Sequence, residues 1–190
     1  MRLKQYIETH LEARDIDLKD QKKYPIYVDK EEDVAYFPLF NLSGKFLGYQ
    51  RYNPKGAKGT ASAKLPYRDK KYHPIISKED SKKNIYALAV YGLHTLDKRN
   101  YVFVVEGIFD AVKLIKLGEP VIAVLSNDPK PLKNFFFILQ KKVIVIADND
   151  KAGKKLKKIG NISLTTPDPY KDVGEMPVKE LKDFIKGIKR

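Results

Sequence analysis

Apolar residues in the second half of the chain form short continuous runs that alternate with segments of helical spacing. The runs predict strands at 101–105, 121–125, 143–147 and 162–164. The segments between and after them predict helices at 108–117, 131–140, 151–159 and 178–188. Strands that are apolar on both sides are buried between helices, as in a parallel sheet. Residues 99–190 are therefore predicted to form an α/β domain.

The first half of the chain has a different pattern. A strand at 34–40 and a second strand at 45–52 flank an Asn-Leu-Ser-Gly turn, which predicts a β-hairpin. The remaining segments are assigned to a weakly amphipathic helix at 3–18, a basic loop at 53–64 and a helix at 83–96. We therefore predict a smaller mixed α+β subdomain at 1–98.

The charge balance points to an anionic partner. The chain has 37 Lys and Arg against 24 Asp and Glu, a formal net charge of +13. Such an excess fits a nucleic acid or an anionic surface, although a merely lysine-rich soluble protein would show it too. There is no cysteine, which excludes disulfides and cysteine zinc sites. The chain lacks an apolar stretch near the ~20 residues of a membrane helix, and we expect an intracellular, cytoplasmic protein.

Two pairs of acidic residues stand where predicted strands end. Glu106 and Asp110 follow the first strand of the α/β half, and Asp148 and Asp150 follow the third. The carboxyl ends of parallel strands meet at one edge of an open sheet, the usual position of ligand sites. Residues two apart in extended backbone face the same way, so Asp148 and Asp150 can reach one ion. Oxygen ligands of this kind suit Mg²⁺.

Each pair also has a simpler interpretation. An Asp that follows a strand often only caps the next helix, and Asp150 is placed for that. Asp110 could be only a favourable charge in a first helical turn. The occurrence of both pairs in one α/β unit favours a metal site.

The residues around the two pairs carry a family resemblance. VVEGIFDA at 104–111 resembles the glutamate motif of the Toprim domain, and VIADNDKAG at 145–153 resembles its Asp-x-Asp motif. The order of the motifs and the strand–helix unit between them also match, and the resemblance spans roughly residues 100–175. It implies a compact Toprim-like parallel sheet flanked by helices, with acidic residues that hold Mg²⁺. Toprim domains occur in primases, topoisomerases and nucleases.

The first half narrows the choice within that superfamily. Four segments resemble, in order, the amino-terminal half of the RNA polymerase core of bacterial DnaG-type and phage primases: YFPLFN at 36–41, GKFLGYQR at 44–51, HPIISK at 73–78 and IYAL at 85–88. By this resemblance Arg51, Lys64 and Lys78 lie along the groove for nucleotide and template. Lys151, Lys154 and Lys155, just after the Asp-x-Asp motif, are further candidates for nucleic-acid binding.

The resemblance implies metal-dependent synthesis of short RNA primers on a single-stranded DNA template from nucleoside triphosphates. The implied catalytic residues are Glu106, Asp110, Asp148 and Asp150. The implied metal ligands are Glu106, Asp148, Asp150 and Asp172, the last from a third acidic segment at 166–175. The cation would be Mg²⁺, for which Mn²⁺ can substitute, and not zinc. The resemblance also implies two possible protein partners: a helicase, and a separate zinc-binding or replication subunit.

Departures from the family pattern leave two other classes open. Primases of this type carry a cysteine zinc module ahead of the core, and this chain has no cysteine. Asn149 stands where the Asp-x-Asp motif often has Gly, and there is no P-loop motif. A Toprim nuclease, of the OLD or ribosomal-RNA-maturase type, would use the same carboxylates to activate water. A non-catalytic nucleic-acid-binding subunit of a replication complex is the third class. The small size suggests a phage or mobile-element protein.

Overall fold

The structure is a computed structural model that describes residues 6–59, 62–77, 79, 82, 88–125, 130–150 and 153–188. The chain divides into two compact units, Met1–Tyr86 and Ala87–Arg190. Each unit has its own four-stranded sheet, and each is described by itself. Across the described ranges, none of the helices has the length and apolar character needed to cross a lipid bilayer.

The first unit contains an amino-terminal helix followed by an antiparallel sheet. Its elements are α1 (Tyr6–Ala13), β1 (Tyr27–Asp29), β2 (Val34–Phe40), β3 (Phe46–Tyr52) and β4 (Tyr72–Ile76). The strands pair in chain order, and Phe37 opposite Gln50 sets the register of β2 and β3. This confirms the predicted hairpin. Phe37 and its inward-facing neighbours on β2 are fully buried, as are Ile7 and Leu11 of α1.

The second unit contains a parallel sheet with helices between its strands. Its elements are β5 (Tyr101–Val105), α2 (Ile108–Lys116), β6 (Val121–Ala123), α3 (Lys130–Ile138), β7 (Lys142–Ala147), α4 (Gly153–Leu156), β8 (Ile162–Thr165) and α5 (Val178–Lys186). The strand order is β6-β5-β7-β8, and every pair is parallel. The two central strands, β5 and β7, are buried almost throughout. The predicted α/β class is confirmed.

The predicted helix at 83–96 is wrong over the part that the structure describes. Its first residues, 83–87, lie outside the described residues. Beyond them, Tyr91 pairs with Ala123 through two backbone hydrogen bonds of 3.0 and 2.9 Å, and Gly92 has a φ of +98° that a helix does not allow. The apolar residues here are buried against β6, and their spacing imitated a helical period.

This segment contributes to the second unit, whereas we assigned residues up to 98 to the first. Thr95 reinforces the contact, because its Oγ1 accepts a hydrogen bond of 2.8 Å from the backbone N–H of Val121. The division between the units accordingly falls after Tyr86.

Several other elements are shorter than predicted, and two short strands were not predicted. Strand β6 ends at Ala123, and Leu125, with a φ of +53°, leaves the extended conformation while its N–H donates to the carbonyl of Glu106 at 3.0 Å. The helix predicted at 151–159 is a short α4 followed by a 3₁₀ turn at Lys157–Ile159. The unpredicted strands, β1 and β4, are partly exposed along their length, so no apolar run marks them in the sequence.

A glycine is required at position 48, where β3 bends. Gly48 has a φ of +147°, and the register of β2 against β3 shifts beside it, between Leu39 and Phe40. A Cβ atom on Gly48 would lie 2.0 Å from the carbonyl oxygen of Ile75 on β4. The hairpin and β4 can therefore meet only if this residue has no side chain.

We predict that Gly48→Ala lowers the free energy of unfolding by about 2 kcal/mol or more, since the new methyl group meets rigid backbone in a strained conformation. Gly187→Ala is the control, because Gly187 has a φ of −76° and open space around its Cβ position. The control should change stability by no more than about 0.5 kcal/mol. Thermal unfolding followed by circular dichroism measures both, and equal midpoints would contradict the role of Gly48.

Candidate functional site

Carboxylates gather at the carboxyl end of the two central strands of the second unit. Glu106 directly follows β5, and Asp148 directly follows β7. Val104 of β5 lies opposite Val145 of β7, so the two strands reach the same edge of the sheet in register. The pairing thus brings Glu106 and Asp148 to one place, as predicted from the sequence.

The surroundings of Glu106 shift its pKa into a range that suits acid–base chemistry. Its Oε1 atom is buried and has no hydrogen-bond partner among the described residues. Burial, together with the negative charges of Asp148 and Asp150, raises the pKa of Glu106 to about 7. The effect of the two aspartates shows that the three carboxylates share one electrostatic environment. An orphaned buried oxygen beside like charges is suited to a cation or a proton.

Asp110 plays a different structural role. Its carboxylate is 6% exposed, and both of its oxygens accept backbone hydrogen bonds. Oδ2 accepts from the N–H of Gly107 at 2.9 Å, and Oδ1 accepts from the N–H of Gly174 at 2.8 Å. Burial first, and then the charges of Asp172 and Asp148, raise the pKa of Asp110 to about 8, against the opposing effect of these two donors.

Asp110 therefore ties the start of α2 to a loop 64 positions further along the chain. That loop carries Asp172, which caps a 3₁₀ turn at Val173–Glu175 by accepting a hydrogen bond of 3.0 Å from the N–H of Glu175. Asp110 thus sets the position of Asp172 near the other carboxylates. The geometry favours a positioning role for Asp110, while the catalytic role remains a prediction.

Asp150 does cap a helix, as the simpler interpretation held. Its Oδ1 accepts a hydrogen bond of 2.9 Å from the N–H of Gly153, the first residue of α4. Asp150 also acts on Glu106 through its charge. Gly153 is itself required, because a Cβ atom there would lie 2.4 Å from the carbonyl oxygen of Asp148.

Asn149 is a residue of the site whose part the sequence did not reveal. Its side-chain amide donates to Asp168 Oδ1 at 2.8 Å, and its backbone N–H donates to the carbonyl of Lys171 at 2.8 Å. The Asp-x-Asp segment is thus fastened to the loop that carries Asp172. The only signal was the departure from Gly at this position, and it did not indicate a partner.

The donor set fits a hard divalent cation. Within the described ranges, no group of three or more acidic or histidine side chains is close enough to enclose a metal ion by itself. Mg²⁺ does not require such a cage, because it is usually held by one or two carboxylates, several waters and the phosphates of a substrate. Several carboxylates lie at one edge of the sheet, and a buried oxygen of one of them has no hydrogen-bond partner among the described residues. Such a set can provide the few carboxylate ligands that Mg²⁺ needs.

The predicted basic residues fall into distinct environments. Three of them are exposed: Lys64, Lys154 and Lys155. The buried side of α4 is formed instead by Gly153 and Leu156. Lys78 and Lys151 lie outside the described residues. The exposed lysines can contact a nucleic acid from their positions on the surface.

Arg51 is placed unlike the other predicted basic residues. It is 3% exposed, and its Nη1 donates to the carbonyls of Tyr67 and Arg68 at 3.4 and 3.2 Å. Its Nη2 lies 3.7 Å from Glu32 Oε2. These contacts hold the 3₁₀ turn at Tyr67–Asp69 against β3, so Arg51 supports the first unit from within. A direct contact with nucleotide or template remains a prediction.

Comparison with known proteins finds no matching family model and no matching curated protein. Solved structures do match, over nearly the whole chain. A DnaG catalytic core aligns with a TM-score of 0.67 and 17% identity, covering 96% of this chain and 71% of that one. A DnaG primase catalytic domain bound to single-stranded DNA aligns with a TM-score of 0.63 and 16% identity, covering 97% and 72%.

A bacteriophage T7 structure, in which a lagging-strand DNA polymerase interacts with primase domains bound to an RNA/DNA hybrid and dTTP, also matches. It aligns with a TM-score of 0.60 and 18% identity, covering 93% of this chain and 86% of that one. The fold is thereby defined: the chain has an α/β fold that resembles the catalytic cores of primases. The particular resemblance is to DnaG-type and phage T7 primases, as the sequence motifs led us to expect.

The raised pKa of Glu106 predicts a pH dependence of stability without added metal. An acid whose folded pKa exceeds its unfolded value keeps its proton in the folded state, so stability is full below about pH 4.5 and falls as the pH rises towards 7. Glu106→Gln should reduce this loss by on the order of 1 kcal/mol, a figure discounted for partial exposure. Urea unfolding between pH 4.5 and 8 measures it.

Asp183→Asn, an exposed change on α5, is the control and should keep the pH profile of the native chain. Added Mg²⁺ should restore stability at pH 8 in the native chain more than in Glu106→Gln. An unaltered profile in Glu106→Gln would show that Glu106 ionises normally.

Proposed function

We propose that this chain is the catalytic core of a primase, a nucleotidyltransferase that makes short RNA primers on single-stranded DNA. One observation supports it above the others: within a fold that resembles primase cores, Glu106, Asp148 and Asp150 interact at the carboxyl end of neighbouring parallel strands. Such a site suits the alignment of a triphosphate with an attacking hydroxyl.

The reaction would be a phosphoryl transfer. The 3′-hydroxyl oxygen of one nucleotide forms a bond to the α-phosphorus of the next triphosphate, and the bond to the bridging oxygen breaks as pyrophosphate leaves. We assign the proton of the attacking hydroxyl to Glu106, whose Oε1 has no other partner among the described residues. Asp110 holds the loop of Asp172 in place through its two backbone hydrogen bonds.

The cation would be held by Asp148 and Asp150, with Asp172 and Glu106 as further ligands. When bound, Mg²⁺, or Mn²⁺ in its place, would neutralise the charge that develops on the phosphate in the transition state. The residues themselves contribute oxygen ligands, a fixed loop and a partly desolvated edge. Each of these follows from contacts within the second unit.

The template and the triphosphate would be held by basic residues. Lys64, Lys154 and Lys155 are exposed, and the formal net charge of +13 favours a polyanion. A related fold binds single-stranded DNA, and another is bound to an RNA/DNA hybrid and dTTP. A helicase or a separate zinc-binding subunit stays a predicted partner.

The test is primer synthesis by the purified chain. Mixed-sequence single-stranded DNA is supplied with four ribonucleoside triphosphates, one of them labelled, and Mg²⁺ or Mn²⁺, without a primer. We expect short labelled products from the native chain and a loss of at least about a hundredfold in Asp148→Asn, because charge stabilisation of this kind contributes that much or more. Asp183→Asn should match the native chain.

A label on the template separates the alternatives in the same reaction. A template that is shortened without triphosphates, and intact with Asp148→Asn, would replace the proposal by a metal-dependent nuclease. An intact template with no product under either metal would contradict catalysis by this chain and favour a binding subunit.

A further inference from the structure

The last turn of α3 carries two apolar side chains that face solvent. Phe137 is 87% exposed and Ile138 is 71% exposed, the two highest values among the large apolar residues of the described ranges. A single exposed apolar residue is common on a protein surface. Two adjacent ones of this size form a patch of the kind that marks an interaction site.

The helix does not use these two side chains to pack on its own unit. Leu132 and Phe136, one helical turn apart, are 0% and 3% exposed and form the buried side of α3. Phe135 is half-buried and meets Phe136 edge to face, with ring centroids 6.1 Å apart. Phe and Ile are also only moderate helix formers. Phe137 and Ile138 therefore contribute little to the fold, and polar residues would serve the helix as well.

These residues lie at the amino edge of the parallel sheet. After α3 the chain turns at Gln140, which has a φ of +51°, and β7 begins at Lys142. Glu106 and Asp148 lie at the carboxyl edge, at the other end of β7, a strand of six residues that is roughly 20 Å long. A partner bound at the end of α3 would therefore not cover the carboxylates.

A second segment brings a cation to the same edge. The 3₁₀ turn at Lys157–Ile159 packs against α3. Asn161, just after this turn, is fixed to the start of β7. Its Oδ1 accepts a hydrogen bond of 2.7 Å from the N–H of Val143, and its own N–H donates to the carbonyl of Val143 at 2.9 Å. Lys158, in the middle of the turn, is exposed and hence lies near the same end of the sheet.

Lys133 adds a cation on α3 itself. It precedes Phe137 by four residues, so the two side chains lie on one side of the helix, and it is exposed. Within the described residues neither Lys133 nor Lys158 takes part in an ion pair. The sequence contains no acidic residue from 129 to 147 or from 151 to 167. We call Lys133, Phe137, Ile138 and Lys158 the α3 patch.

The chemistry of the α3 patch distinguishes among possible occupants. A second copy would bring the same cations together, and each chain has a formal net charge of +13, which opposes a symmetric dimer. A bilayer surface binds helices whose apolar face runs along their length, whereas the large exposed apolar residues of α3 are confined to its last turn. A nucleic-acid strand stacks its bases on aromatic rings, which leaves the aliphatic Ile138 unmatched.

We propose that the α3 patch binds an acidic, apolar segment of a partner protein. Phe or Leu side chains of that segment would cover Phe137 and Ile138, while its Asp or Glu side chains would pair with Lys133 and Lys158. An apolar centre with a charged rim is the usual arrangement of a protein interface. The inference does not depend on the proposed function, since it uses no residue of the carboxylate site.

The test is the binding of a synthetic peptide, followed by fluorescence anisotropy. The probe is a fluorescein-labelled peptide in which Asp and Glu alternate with Phe and Leu. Two reference peptides replace either its apolar residues by Ser or its acidic residues by Gln. The native chain should bind the probe at least about tenfold more tightly than either reference, because each reference lacks one half of the interaction.

An apolar variant assigns the binding to the α3 patch. Phe137→Ser with Ile138→Ser should weaken binding of the probe at least about tenfold, because both side chains would be buried by the peptide. The variant should keep the native thermal midpoint in circular dichroism, because both residues are exposed. Tyr27→Ser with Phe46→Ser is the matched control, since these residues are 62% and 47% exposed, and it should bind the probe as the native chain does.

A charge variant tests the rim of the α3 patch. Lys133→Gln with Lys158→Gln should weaken binding of the probe at low salt and reduce its dependence on salt, because two ion pairs are lost. Lys22→Gln with Lys45→Gln is the matched control, since both are exposed lysines and the change in charge is identical.

Several results would overturn the proposal. Equal losses in a variant and in its control would leave only general attraction to a basic chain, and equal affinity of the native chain for all three peptides would remove the required chemistry. If the apolar variant lost binding to oligo(dT) or to phosphatidylserine vesicles while binding the probe normally, the occupant would be a nucleic acid or a membrane. A native dimer that dissociates in the apolar variant would assign the α3 patch to a second copy.

Discussion

The parallel pairing of β5 with β7 is the constraint on which the candidate site depends. Burial of Glu106 and its repulsion by Asp148 and Asp150 make its ionised form costly, and the rise in the pKa of Glu106 expresses that cost. The strands beneath must hold them in place. Residues 102–105 and 143–147 are almost completely buried, and each buried Val or Ile stabilises the fold by roughly 1.5–3 kcal/mol. Together these residues outweigh a perturbed carboxylate, so the sheet can keep acidic groups close together.

Asp110 extends this constraint to a part of the chain that the sheet does not reach. The loop that carries Asp172 lies beyond β8, at the edge of the sheet, and its position is set by the hydrogen bond from Gly174 to Asp110. Asn149 adds two further hydrogen bonds to the same loop. The residues between and beside the predicted ligands are thus the ones that assemble the site. A buried carboxylate with both oxygens satisfied is better suited to this task than to chemistry at the substrate.

Continuous apolar runs made the second unit predictable from the sequence, since buried parallel strands leave no polar face to confuse the pattern. Glu106 and Asp148 could be placed because they directly follow such strands. The segment around Tyr91 could not, because a short buried bridge to Ala123 has the same apolar spacing as a helix. The links from Asp110 to Gly174 and from Asn149 to Lys171 join residues far apart in the chain, and no local pattern encodes them.

The surroundings of the basic residues are the feature that the sequence predicts least well. The segment between β3 and β4 is rich in lysine, yet the structure separates its cations by what each one faces. Lys55 lies against Asp33, while burial, Arg14 and Lys58 lower the pKa of Lys71. Arg51, which the motif places in a groove, is enclosed by carbonyls and Glu32. A positive charge already neutralised within the fold gains little from a phosphate, whereas one held beside like charges gains the relief of that repulsion. The distribution of carboxylates, more than the count of lysines, therefore decides which cations are already neutralised within the fold.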